Sequence, residues 1–143
     1  MKMQDNMNFT GKVCVVSGGG SGIGFACAEK LAEAGARVFL LGRGEARLKT
    51  AADKLNAAGG TTEYVAGDLS QESEIERVMA EIERRAGGVN VLVNSAGQSV
   101  SRMLLELTAE EWDKIQSINL RAVFLLSRAA ARNMIAHKVA HGR

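Results

Sequence analysis

The residues from Ser17 to Gly24, reading Ser-Gly-Gly-Gly-Ser-Gly-Ile-Gly, have the types and spacing to bind an anion. Glycine places no side chain in the way, so a diphosphate can reach the backbone N–H groups of such a turn. A helix starting there adds the positive end of its dipole. The spacing is Gly-x-x-x-Gly-x-Gly, not the Gly-x-Gly-x-x-Gly of the commonest dinucleotide fingerprint. A short glycine pattern carries weight only when a strand precedes it and a helix follows.

The flanking residues supply that setting. Val13-Cys14-Val15-Val16 is an unbroken, largely β-branched apolar run, suited to a parallel strand buried on both faces. From Ile23 the apolar spacing turns helical through Ala26, Cys27, Leu31 and Ala34, and Gly35 stands as a C-terminal stop. Arg37 to Leu41 then reads as a second strand, followed by a helix through Leu48, Ala51, Ala52 and Leu55 that Gly59-Gly60 ends. Thr62 to Ala66 reads as a third strand, and Asp68-Leu69-Ser70 leads into a helix whose inner stripe is Ile75, Val78, Met79 and Ile82, ended by Gly87-Gly88. Val89 to Val93 reads as the fourth strand, and Thr108 with Glu111 makes a capping box for a long last helix. The alternation predicts an α/β fold, a Rossmann-type doubly wound parallel sheet with right-handed crossovers. Four strands in the order 3-2-1-4 make that sheet incomplete.

The 143 residues read as a single nucleotide-binding domain, 1–143, with no linker or repeat to divide it. Acids and bases are interspersed at a net charge of +2, so no basic footprint of a nucleic-acid binder is present. No apolar stretch of 18 residues predicts a membrane span, and Met1 to Thr10 holds no apolar core of a secretory leader. Cys14 and Cys27 fall in the predicted first strand and first helix, which favours two buried reduced thiols over a disulfide or metal pair. A cytoplasmic protein is the expectation.

The glycine turn, Asp68 after the third strand, Asn94-Ser95-Ala96-Gly97 at the end of the fourth, and Asn119 in the long helix together resemble the short-chain dehydrogenase/reductase family. Glu110-Glu111-Trp112-Asp113 and Ile118-Asn119-Leu120 are similar to that family's sequence around its long interface helix, so the likeness runs the length of the chain. The resemblance implies that Gly18, Gly22 and Gly24, with Ile23 in the same turn, line the cofactor diphosphate. Ser17 stands where the family usually has Thr and keeps the hydroxyl. Asp68 would accept from the adenine amino group and Leu69 would offer backbone contacts. Asn94 would steady the central strands beside the cofactor, with Ala96 and Gly97 close to its ribose. On residue type alone, Asp68 and Ser70 suit a helix cap equally well, and Asn94 a turn.

The choice of cofactor turns on the end of the second strand. A carboxylate there holds the ribose 2′-hydroxyl of NAD, whereas an arginine accommodates a 2′-phosphate. This chain has Leu41-Gly42-Arg43, so NADP(H) is favoured over NAD(H) through the planar fork of Arg43. The plain alternative is a solvated arginine near a helix start. The second basic residue that the family often places just before the middle glycine of the turn is Ser21 here.

In the family a Tyr four residues before a Lys, together with a Ser, performs carbonyl and alcohol interconversion. The only tyrosine here is Tyr64, in the predicted third strand, and the residue four further on is Asp68. Asn119, which the resemblance links to a water-borne proton relay through a distorted helix, is the one catalytic position that carries over. It cannot replace a general acid of matched pKa. The chain reaches His141-Gly142-Arg143 where the family begins its fifth strand, so a C-terminally truncated enzyme is the expectation, with Val89 to Val93 left as an apolar edge.

Ala122-Val123-Phe124-Leu125-Leu126 is apolar on consecutive positions and should be covered on more than one side of its helix. The sheet can cover one side; a second subunit, making a homo-oligomer, or further C-terminal segments can cover the other. His137 and His141 share a helical face, but Lys138 stands where a zinc-protease motif needs Glu, so no metal is expected. Arg128, Arg132, Lys138 and Arg143 are read as complements to the negative end of the last helix. Two readings of function follow. One is an NADP(H)-dependent oxidoreductase acting on a small-molecule carbonyl or alcohol once completed; the other is a non-catalytic nucleotide-binding or association module.

Overall fold

The two central strands are apolar on both faces, and the reason is visible in what they pack against. The computed structural model describes residues 8–143, so part of the stretch read as lacking a leader lies outside the described residues. The order is β1 (Val13–Ser17), α1 (Gly22–Glu33), β2 (Arg37–Gly42), α2 (Glu45–Ala57), β3 (Thr61–Ala66), α3 (Glu72–Ala86), β4 (Val91–Asn94), α4 (Ala109–Gln116), a π-helical segment (Ser117–Arg121) and α5 (Ala122–Ala136). All neighbouring strands run parallel in the order β3-β2-β1-β4. Val15 sits between Phe39 on one side and Leu92 on the other.

Alternate residues of the central strands enter two different cores, as the two-residue period of a strand requires. Val15, Phe39, Leu41 and Val65 meet Ile75, Val78 and Ile82 of α3 and Leu125 and Leu126 of α5. Cys14, Val16, Val38 and Leu40 face the other way, onto Ala28 of α1 and Leu48, Ala51, Ala52 and Leu55 of α2. Burying each large side chain is worth about 1.5–3 kcal/mol, so both helical layers contribute to holding the sheet between them.

The fourth strand starts later than its apolar run. Val89 is fully buried, yet its N–H donates to the Asn133 side chain of α5 at 2.7 Å instead of joining a ladder. Asn90 in turn accepts from the Val13 N–H at 2.8 Å through its side chain, and pairing in β4 begins only at Val91. The edge of β4 is not bare either. Leu92 donates to the Arg143 carbonyl at 2.7 Å and Arg143 donates to the Asn90 carbonyl at 2.9 Å.

The long last helix has its capping box at Thr108 and Glu111, but it is interrupted by the π-helical segment between α4 and α5. The last turn of α5 carries no basic residue; Arg128 lies mid-helix, paired with Glu72 at 2.6 Å and stacked on Phe124. In α1 the expected inner stripe is rotated. Gly24 and Ala28 are its buried positions, while Ile23 is 79% exposed and Cys27 only half-buried. The cause is Gly24, which packs on the Gly18 carbonyl and so sets which face of the helix turns inward.

Candidate functional site

The C-terminal ends of the strands converge on one cleft, at the point where the strand order reverses between β1 and β4. Such a switch point is where open parallel sheets bind ligands. The cleft has a volume of about 840 Å³, within the usual range for a site that holds a cofactor.

Its floor is the turn between β1 and α1. Gly18 adopts a positive φ of 68°, and a Cβ there would stand 2.9 Å from the Cα and N of Ala96. A Cβ on Gly24 would overlap the Gly18 carbonyl. Only bare backbone fits at these two positions, which brings the start of α1 directly against the cleft. The Ser21 side chain makes no capping bond there, and the first turn of α1 holds no acidic residue. The first turns of α2, α3 and α4 all carry glutamates. The positive end of α1 is therefore the one left for an outside anion.

Ser17 works behind this floor. It is 2% exposed, and its hydroxyl accepts from the N–H groups of Ser95 and Ala96 at 3.1 Å each while donating to the Val93 carbonyl at 3.4 Å. It thereby fixes the segment after β4 against β1. Asn94 reaches elsewhere, donating to the Ser127 hydroxyl of α5 at 3.1 Å.

Arg43, Leu69, Ala96, Gly97 and Ile23 line the cleft with Gly18 and Gly24, whereas Ser17, Gly22, Asp68, Asn94 and Asn119 do not. Gly22, at a φ of 56°, has open space where a Cβ would stand. Asp68 closes a turn by accepting at Oδ1 from the N–H and hydroxyl of Ser70, at 3.0 and 2.8 Å. It does not cap α3: the N-cap there is Gln71, without a side-chain capping bond. Asn119 lies in the π-helical segment and binds the backbone of Gln98 through both functions of its amide.

Arg47, Gly67 and Ile118 also line the cleft and were missing from the sequence reading; Gln98, whose polar type suits either a substrate contact or a solvated loop, lines it as well. Arg43 lies just before α2 and Arg47 in its first turn, so no helical periodicity linked the two in the sequence. The Arg47 side chain passes Gly20, where a Cβ would lie 3.3 Å from Arg47 Cγ. Two exposed guanidinium groups thus border the same end of the cleft. Beneath the opposite wall, the Arg77 guanidinium holds the Glu74 carboxyl below the usual range, with a smaller contribution from the Asp68 N–H.

A family model described as short chain dehydrogenase matches residues 12–143. The chain belongs to the short-chain dehydrogenase family. A short-chain dehydrogenase/reductase of Armillaria gallica is 39% identical over 127 residues, covering 87% of this chain and 49% of the relative. An uncharacterized oxidoreductase of Staphylococcus aureus strain N315 is 33% identical over 132 residues, covering 92% and 56%. The chain spans about half the length of these curated relatives.

Among solved short-chain dehydrogenase structures, a metagenomic short-chain oxidoreductase in complex with NADP is 40% identical with a TM-score of 0.86, covering 91% of this chain and 59% of that one. The L-sorbose reductase of Gluconobacter frateurii, complexed with NADPH and L-sorbose, is 33% identical with a TM-score of 0.86, covering 91% and 50%. The Rossmann-like α/β fold is common to all of them. Among the described residues no helix is long and apolar enough to cross a membrane. None of the described His, Cys, Asp or Glu residues gather in groups of three or more that would hold a metal ion.

Proposed function

We propose that this chain is the NADP(H)-binding part of an oxidoreductase that interconverts a small-molecule carbonyl and an alcohol. The observation that carries the reading is the glycine floor under an uncapped helix start, with Arg43 and Arg47 at one end of the cleft. The amides of residues 18–24 would hold the diphosphate. Arg43, aided by Arg47, would hold the 2′-phosphate with charge-assisted bonds. Leu69 and Asp68 would border the adenine, and Ala96 and Gly97 the ribose. When bound, the cofactor supplies hydride chemistry; the residues of this chain bind and orient it.

For the 143 residues alone we infer binding without turnover. Tyr64 packs against the α1 and α2 core and lines a separate groove along β3, so it is not the proton donor of this cleft. Titration with NADPH followed by fluorescence, and then with ketones and aldehydes added, tests both halves of the reading. Absence of NADPH binding would sink the first, and oxidation of the cofactor by an added carbonyl would sink the second.

Association of two copies through the last helices is the expected quaternary arrangement. Trp112, Leu120, Phe124 and Ile135 present an exposed apolar face along α4, the π-helical segment and α5. Sedimentation reads it directly: a monomer at micromolar concentration removes the proposal. The two reduced cysteines fit a cytoplasmic location.

A further inference from the structure

The loop after β3 forms one wall of the cleft, and side chains from outside it hold its backbone. Arg77 of α3 donates from Nη2 to the Ala66 carbonyl at 2.6 Å, and the Gly67 N–H donates to the Gly42 carbonyl at 2.8 Å. The next residues, Asp68 to Ser70, are closed on themselves by the bonds from Ser70 to the Asp68 carboxylate. Arg121 then reaches across from the π-helical segment and donates from Nη1 to the Ser70 carbonyl at 3.1 Å.

That contact joins two walls of one site. Leu69 and Ile118 both line the cleft and are both buried, and Arg121 lies three positions beyond Ile118 in the segment that also holds Asn119. Glu72 steadies the arrangement from below: one carboxylate oxygen meets Arg128 at 2.6 Å, and the other stands 3.7 Å from Arg121. The Arg121 side chain is half-exposed, so its loose pairing with Glu72 contributes little. Its bond to the Ser70 carbonyl is charge-assisted and spans the site.

The geometry points to Arg121 as a positioning residue for the adenine end of the nucleotide, tethering the Gly67–Ser70 wall to the π-helical segment. The inference rests on the nucleotide-binding reading above. Arg121 does not touch the cleft; it acts through the Ser70 carbonyl and the loop that carries Asp68 and Leu69.

The test compares the unaltered chain with Arg121→Met and Arg121→Lys by calorimetric titration with NADPH and with 2′,5′-ADP, the adenine half alone. Amide hydrogen exchange at residues 67–70 and the thermal midpoint are read alongside. Arg121→Met should weaken both nucleotides by the same factor, about three- to tenfold, as loss of one hydrogen bond to a charged group implies. Exchange at 67–70 should quicken while the midpoint moves little. Arg121→Lys keeps the charge and a donor and should fall between; it carries the comparison if the Met variant fails to fold. Unchanged 2′,5′-ADP affinity together with unchanged exchange at 67–70 would overturn the assignment. Failure of the unaltered chain to bind either nucleotide would overturn the nucleotide reading and the adenine role with it, while the exchange data would still report whether the tether exists.

Discussion

Asn119 and Gln98 are joined twice: the Asn119 side chain donates from Nδ2 to the Gln98 carbonyl at 2.7 Å and accepts at Oδ1 from the Gln98 N–H at 2.8 Å. Both functions of the amide are needed, since a carboxylate offers no donor and an aliphatic chain offers neither. Asn119→Leu should therefore cost about 1–2 kcal/mol, the net worth of two exposed bonds. Urea unfolding measures the loss, and faster amide exchange at Gln98 locates it. An unchanged exchange rate at Gln98 would show that the clamp does not operate.

The proposed preference for NADP(H) rests on the two arginines that line the cleft, Arg43 and Arg47. Arg43→Asp replaces a cation with an anion beside the proposed 2′-phosphate and should weaken NADPH by about tenfold or more. NADH affinity should hold or rise. Arg47→Met should weaken NADPH less and leave NADH unaffected. Fluorescence titration with both cofactors at fixed salt checks the pair. Selectivity that stays constant in Arg43→Asp would remove that residue from the site.

Gly24→Ala and Gly22→Ala separate packing from backbone conformation. The first drives a methyl group into the Gly18 carbonyl and should destabilise the fold by about 1–3 kcal/mol. The second meets open space but holds a left-handed φ, which costs about 1–2 kcal/mol. Denaturant midpoints give both values. Nucleotide binding should be lost more completely in Gly24→Ala, because the start of α1 must move.

The two thiols should react at different rates. Cys14 is fully buried and burial pushes its thiol up to about 11, while Cys27 is half-buried. At pH 8 an alkylating reagent should modify Cys27 in the native chain and Cys14 only after unfolding. A folded-state value above the ordinary one stabilises the fold at pH below 9. That contribution fades as the pH climbs through about 11.

Acid should weaken the α3 surface first. Hydrogen bonds from Arg84 and Arg85 hold the Glu81 carboxyl down to about 2, and Arg77 lowers Glu74. A carboxyl depressed in the folded state stabilises it at pH above the ordinary value of 4.5, and that contribution is lost as the pH falls from there toward 2. A thermal-midpoint titration of Glu81→Gln against the unaltered chain should converge at about pH 2 and differ modestly at pH 7. These pairs are exposed, so a large difference at neutral pH would contradict the assignment.

The individual strands, the glycine floor, the Thr108 capping box and the nearness of Arg43 to the end of β2 were legible because each is local: an apolar run, a turn with its flanks, a cap three residues long; the strand order followed from the resemblance to a known fold. What was hidden depended on contacts between distant segments. Nothing near Val89 announces that Asn133 will take its N–H, and so the run Val89 to Val93 looked like a longer strand than β4. The rotation of α1 that exposes Ile23 follows from how closely Gly24 approaches the Gly18 carbonyl, a distance no spacing rule contains. Arg47 was hidden for the opposite reason, since its neighbours in sequence make it look like one more solvated helix residue.

The π-helical winding of Ser117–Arg121 sets a condition on every later change to this region. A π-helical turn closes with i→i+5 bonds and so holds one residue more than an α-helical turn, which lets both flanks keep ordinary pitch around it. Deleting one position there should therefore restore a continuous α-helix with Leu125 and Leu126 still packed on the sheet, and the contact forfeited is the one between Asn119 and Gln98. A deletion within α5 would instead swing its buried face by about 100°, so this stretch is where the helix absorbs a change of length.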